Sequence, residues 1–136
     1  MTPEAAVDEM LAVFKAAWDT TGFGARVAWT DVPSAVPSGE QPWARVTVQH
    51  ALGRQTSLAG ANGVKRHTHT GTLWVQVFGP MGNGNVTAYG LAKTVLDAYR
   101  TARGSVWYRN QRLREAGSSG AFQQINVLVD FTYDDF

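Results

Sequence analysis

The hydrophobic spacing of the chain changes period three times, and that switching narrows the folds open to it. Val7, Met10, Leu11, Phe14 and Trp18 recur at helical spacing and predict an amphipathic helix over residues 3–19. Thr2 is placed to cap it, Pro3 suits its first position, and Glu4 sits at the positive end of the helix dipole. From Trp43 to His50 the period falls to two, with Ala44, Val46 and Val48 set against Arg45, Thr47 and Gln49, the pattern of a half-buried strand. A matching strand is predicted from Gly71 to Phe78. Ala88, Leu91, Ala92, Val95, Leu96 and Tyr99 then return to helical spacing, from a cap at Asn85 to about Ala102, with Gly104 as the stop. The last segment alternates again, Ile125, Val127, Val129, Phe131 and Tyr133 against Gln124, Asn126, Asp130 and Thr132. A short strand over residues 26–29 and a strand pair over 105–110 and 111–115 complete the reading. Helix, strands, helix, strands describes an α+β fold, a mainly antiparallel sheet with two helices packed on one face.

One domain over residues 1–136 accounts for the length, since domains run to roughly 100–150 residues. With 44% apolar and 17% charged residues the chain has the composition of a globular protein. It holds no cysteine, which excludes disulfide frameworks, thiolate metal sites and thiol catalysis. Glu4, Asp8 and Glu9 near the start are unlike the basic region of a signal peptide. The longest charge-free stretch, residues 67–92, is broken by Gly71, Gly79, Pro80, Gly82 and Gly84, so no membrane span and no membrane partner are expected.

The connection from Asp31 to Pro42 carries Pro33, Pro37 and Pro42 and reads as an extended surface crossing. Between the two central strands lie about twenty residues rich in Gly, Ser, Thr and Asn, which also carry Arg54, Lys65 and Arg66. A loop of that length in a compact domain is more often functional than idle. It predicts a long hairpin whose tip projects beyond the body of the fold.

Little in the sequence offers chemistry. His67 and His69 would share a strand face and, with His50, make a three-histidine metal site conceivable, but no carboxylate lies close in sequence and no ligand spacing is matched. A polar loop with solvated histidines accounts for them better. Ser57 lacks a nucleophile-elbow context, and Asp134 and Asp135 are neighbours rather than paired carboxylates on separate rigid elements. Gly79-Pro-Met-Gly-Asn-Gly-Asn85 has neither the P-loop Lys-Ser/Thr ending nor the dinucleotide glycine spacing, and reads as a tight strand-to-helix turn. No catalytic residue, metal or cofactor is predicted, and no enzyme.

Charge and exposed apolar surface point elsewhere. Residues 1–40 hold six acids and two bases, leaving −4; residues 41–115 hold ten bases and two acids, leaving +8; residues 116–136 add −3. Such segregation suits a basic nucleic-acid face or complementary patches between copies of the chain, and a net charge of +1 favours the second. The strand Gly71 to Phe78 already has a buried face in Leu73, Val75 and Val77, yet Trp74 and Phe78 fall on the other. Trp107 and Leu128 share that phase. If the helices cover one side only, these residues lie on the open face of the sheet, where a cluster of large apolar side chains marks an interaction surface. The alternative is that the N-terminal segment or the proline-rich connection covers them.

Pro42-Trp-Ala-Arg-Val-Thr-Val48, Arg54-Gln-Thr-Ser-Leu58, Leu73-Trp-Val-Gln-Val-Phe-Gly-Pro80 and the closing Phe122-Gln-Gln-Ile-Asn-Val-Leu-Val-Asp-Phe131 resemble the tail-terminator-like proteins of long-tailed bacteriophages. The resemblance implies a virion protein, assembled in the host cytoplasm, that forms a six-membered ring at the head-proximal end of the tail tube. The ring stops tube polymerisation and offers the head a docking surface. Its implied partners are further copies of itself, the tail-tube protein and a head–tail connector protein, with DNA only in passage. Read with the residue patterns, it places Trp74, Phe78, Trp107 and Leu58 at contacts with the next subunit or the tube. Arg54, Lys65, Arg66, Arg109 and Arg112 would meet acidic groups there. The rival readings are a connector or tail-tube subunit, a metal-dependent enzyme using His50, His67 and His69, and a nucleic-acid binder.

Overall fold

A computed structural model describes residues 1–29, 41–55, 66–80, 86–119 and 122–135. Helix α1 spans Pro3–Asp19, and its N-cap is as the sequence implies: the Thr2 hydroxyl accepts a 3.2 Å hydrogen bond from the Ala5 amide. Strand β1 is Val27–Trp29, β2 is Trp43–Gln55 and β3 is His67–Pro80. Helix α2 spans Val86–Thr101, β4 is Trp107–Ser119 and β5 is Phe122–Asp135. The five strands form one sheet in the order β1-β2-β3-β5-β4. The short β1 runs parallel to β2, and the other pairs are antiparallel. The fold is the predicted α+β class.

Register explains why the apolar alternation reads so clearly. Ala44, Val77 and Ile125 lie side by side across β2, β3 and β5, as do Val46, Val75 and Val127, then Val48, Leu73 and Val129. These rows face the helices and, Val48 aside, are fully buried. Ala6, Met10, Phe14 and Trp18 of α1 and all six predicted apolar positions of α2 close the same core. Two polar links tie the helical layer together. The Tyr99 hydroxyl of α2 donates to the Met10 carbonyl of α1 at 2.7 Å, in a fully buried setting. The Glu9 carboxylate accepts from the backbone amides of Ser105 and Val106 at 3.2 and 2.8 Å, pinning the connection after α2 to α1.

The sheet is longer than its apolar pattern. Beyond Gly71, β2 and β3 stay paired through Gln55↔His67, and β3 stays paired to β5 through His67↔Asp135. Residues 66–70 are exposed or half-buried, so no burial contrast marks the start of β3 in sequence. The expected projecting tip falls on residues 56–65, outside the described residues, as do the residues 31–40 of the proline-rich connection. The expected strand pair over 105–115 is instead one strand, β4, which continues to Ser119. Register shifts between Arg109 and Arg112 and between Glu115 and Gly117 interrupt its phase, with Asn110 at φ 54° and Gly117 at φ 80°.

Gly71 shows why a glycine is needed in the middle of a strand. A Cβ there would lie 2.2 Å from the Gln49 carbonyl oxygen and 2.5 Å from the Phe131 ring.

Candidate interaction surface

Two helices cover one face of the sheet, leaving the other to be filled by the strands' own side chains. At one end of that face Trp43 and Phe78, directly paired between β2 and β3, stack with ring centroids 4.0 Å apart and planes 7° from parallel. Phe122 meets Trp43 edge-on at 6.2 Å and Ala28 of β1 joins the cluster. The Arg45 guanidinium lies 5.4 Å from the Trp43 ring centre and 6.0 Å from that of Phe78. Phe78 is therefore only 4% exposed, which corrects the expectation that it lies open. The cause is aromatic self-cover: β1 and the first residue of β2 supply the lid, while α1 lies on the opposite face. Trp74 is half-buried and Leu128 is buried, in register between Trp74 and Arg112.

Among the described residues the other end of the face is open. Trp107, at the start of β4, is 58% exposed and is the one large hydrophobic side chain so exposed among the described residues. Arg109, Arg112 and Arg114 follow it on the same side, since their β5 partners are Asp130, Leu128 and Asn126 and Trp107 pairs with Thr132. Strict alternation would have put Arg109 and Arg112 on opposite faces. The bulge at Asn110 realigns them, because asparagine tolerates a left-handed backbone where most residues do not. Of the predicted contact residues, Trp107, Arg109 and Arg112 thus come together, and Arg114 joins them.

Charge on this face is only partly answered within the fold. The Arg112 guanidinium lies 3.5 Å from Asp130 and donates to the Asn110 carbonyl at 2.8 Å. The Asp130 carboxylate also accepts from Asn110 Nδ2 at 3.0 Å and from the Thr72 hydroxyl at 3.1 Å. Burial alone would raise its pKa, but these hydrogen bonds and the Arg112 charge outweigh it and hold the carboxyl below its ordinary value. Among the described residues no carboxylate pairs with Arg109 or Arg114, and both are exposed. Arg66 is exposed just before β3. Arg54 occupies β2 opposite Thr68, with its side chain outside the described residues, as Leu58 and Lys65 are entirely.

The histidines gather on the helical face instead. His50 shares a 2.7 Å hydrogen bond with the Tyr133 hydroxyl, and His69 stacks on the Tyr133 ring at 5.0 Å with Nε2 3.6 Å from Asp135. The two imidazoles lie 6.1 Å apart centre to centre, while His67 is exposed. Among the described residues no group of three His, Cys, Asp or Glu is arranged to hold a metal ion. No described helix is long and apolar enough to cross a membrane.

A solved structure with 18% sequence identity superposes with a TM-score of 0.59 over 95% of this chain and 96% of its own, which establishes a shared fold. No functionally curated protein matches the chain. The model of one family, described as phage tail terminator protein, matches residues 5–123, spanning both helices, β1 to β4 and the start of β5. By that match the chain belongs to the phage tail terminator family, a family of structural tail proteins.

Proposed function

We propose that the protein forms a ring, six-membered, that caps the head-proximal end of the tail tube, ends tube polymerisation and presents the surface on which the head docks. Its partners in this reading are sister copies, the tail-tube protein and a head–tail connector protein, with DNA passing through the ring and no membrane involved. Family membership supports a structural role in the tail. The observation that carries the ring is Trp107, an aromatic side chain left in water on the helix-free face and followed on the same side by three arginines. Tryptophan and arginine are the residues that dominate buried contacts between proteins.

A phage lacking this gene tests the reading. Tails of uncontrolled length, without attached heads, are the expected result. Tails of normal length would remove the terminator role.

A further inference from the structure

Two sets of exposed charges without an opposite partner lie on opposite sides of the sheet among the described residues. In the helical layer Lys15 pairs with Asp19, Lys93 and Arg100 pair with Asp97, Glu9 is engaged by the Ser105 and Val106 amides, and Arg103 donates to the Thr101 and Ala102 carbonyls. Glu4 and Asp8, one turn apart on the solvent side of α1, are exposed and without a cationic partner among the described residues. On the opposite side of the sheet Arg109 and Arg114, of the other sign, are exposed without a carboxylate partner, while Arg45 there lies over the Trp43 and Phe78 rings. Because the sheet separates the two sets, neither neutralises the other within one molecule.

Shape follows the same division. Glu4 and Asp8 flank a shallow hollow floored by Pro3 and Val7, two apolar side chains on the outer side of α1. Across the sheet, Trp107 stands out of the surface with the unpaired Arg109 next to it on the same side, and Arg114 lies about 20 Å further along the strand. An exposed aromatic anchor with a cationic border thus has, on the same chain, an apolar hollow with an acidic border.

We propose that the helix-free face of β4 docks the outer side of α1 of a second copy, with Trp107 entering the Pro3–Val7 hollow and Arg109 meeting Glu4 and Asp8. This rests on the ring proposed above and names the contact that builds it. The contact is head-to-tail: each copy offers two different surfaces, so every copy added leaves one of each open until the rotation closes on itself. A self-complementary pairing would stop at two. The anchor supplies apolar burial, and the bordering charges select the partner surface and its orientation.

Charge reversal with rescue tests the contact in the full chain. Arg109→Glu, and separately Glu4→Arg with Asp8→Arg, change exposed groups without an oppositely charged partner among the described residues. A cooperative thermal melt will report intact folding, with a small fall in midpoint for the Glu4→Arg variant because a carboxylate leaves the positive end of the α1 dipole. Each reversal is expected to weaken assembly at least tenfold by light scattering, with tail-tube protein added where wild type needs it. The combined variant is expected to recover wild-type assembly, and Trp107→Ala to weaken it without rescue by any charge change. Wild type that assembles while both reversals assemble equally well overturns the contact but not the ring, as does a combined variant that stays dissociated. Loss of tube binding with self-assembly intact in the arginine variant would assign the face to the tube protein and also overturn the contact. Wild type that stays monomeric at every concentration, with and without tube protein, overturns the ring and this contact together.

Discussion

Trp43 and Phe78 face each other across β2 and β3 with ring planes 7° from parallel, on the side of the sheet that neither helix touches. The pair gives the protein a second, smaller hydrophobic centre with Ala28 and Phe122. That cluster divides the helix-free face into a sealed end and an open end, and the open end carries Trp107 and Arg109.

The sealed end is a stability element. Phe78→Ala removes one ring of a stack that is 4% exposed at both Trp43 and Phe78, and should cost about 3 kcal/mol, the lower part of the usual range for such truncations. Urea denaturation reads the loss. The same measurement on Trp107→Ala should show a change within about 0.5 kcal/mol, because that side chain is already in water.

Gly71 predicts a cost of the opposite kind, from too much volume. The added methyl of Gly71→Ala meets the Gln49 carbonyl oxygen and the His50 Cα, at 2.2 and 2.9 Å, and backbone atoms held in a paired strand have nowhere to go. A loss of about 2–3 kcal/mol is expected, read as a lower urea midpoint with the slope unchanged.

The Tyr99 hydroxyl joins the two helices through the Met10 carbonyl, and burial, the nearby Tyr108 and a weaker opposing backbone hydrogen bond leave its pKa well above the ordinary tyrosine value. Tyr99→Phe keeps the ring and deletes the bond, so a loss of about 1 kcal/mol is expected. In a spectrophotometric titration of the wild type, this tyrosine should ionise only as the fold is lost.

Stability should fall in mild acid through His50. Although His50 is exposed, partial desolvation where its ring packs on Phe131 and Tyr133, with the charge of His69 beside it, holds this imidazole below its ordinary value of 6.5. Below 6.5 the unfolded chain takes up a proton that the folded chain still refuses, so the contribution is complete above 6.5 and declines as the pH drops toward the folded value. Urea midpoints between about pH 7.5 and pH 5.5 should decrease, and His50→Gln should reduce that decrease.

How much of this was legible in sequence depended on burial contrast. Both helices and the central strands announce themselves because one side of each is sealed and the other wet: Met10, Phe14 and Trp18 in α1, or Val46 and Val75 in the paired strands. The outer length of β3, residues 67–70, lacks that contrast. Strand β4 is at the sheet edge, mostly exposed on both faces and twice out of phase, so alternation broke at Asn110 and suggested two short strands. Phe78 was misplaced for another reason: periodicity assigns a residue to a face, but not whether Trp43 from a neighbouring strand will cover it. Arg114 could have been found beside Arg109 and Arg112 had Asn110 been read as a bulge residue.

Electron microscopy of the purified protein mixed with its tail-tube protein tests whether a closed assembly ends the tube. Closed rings of six are expected, free or seated on one end of each tube, with tube growth halted at the capped end. Open-ended polymers built from this protein alone, or a monomer that leaves both tube ends bare and growing, would contradict this.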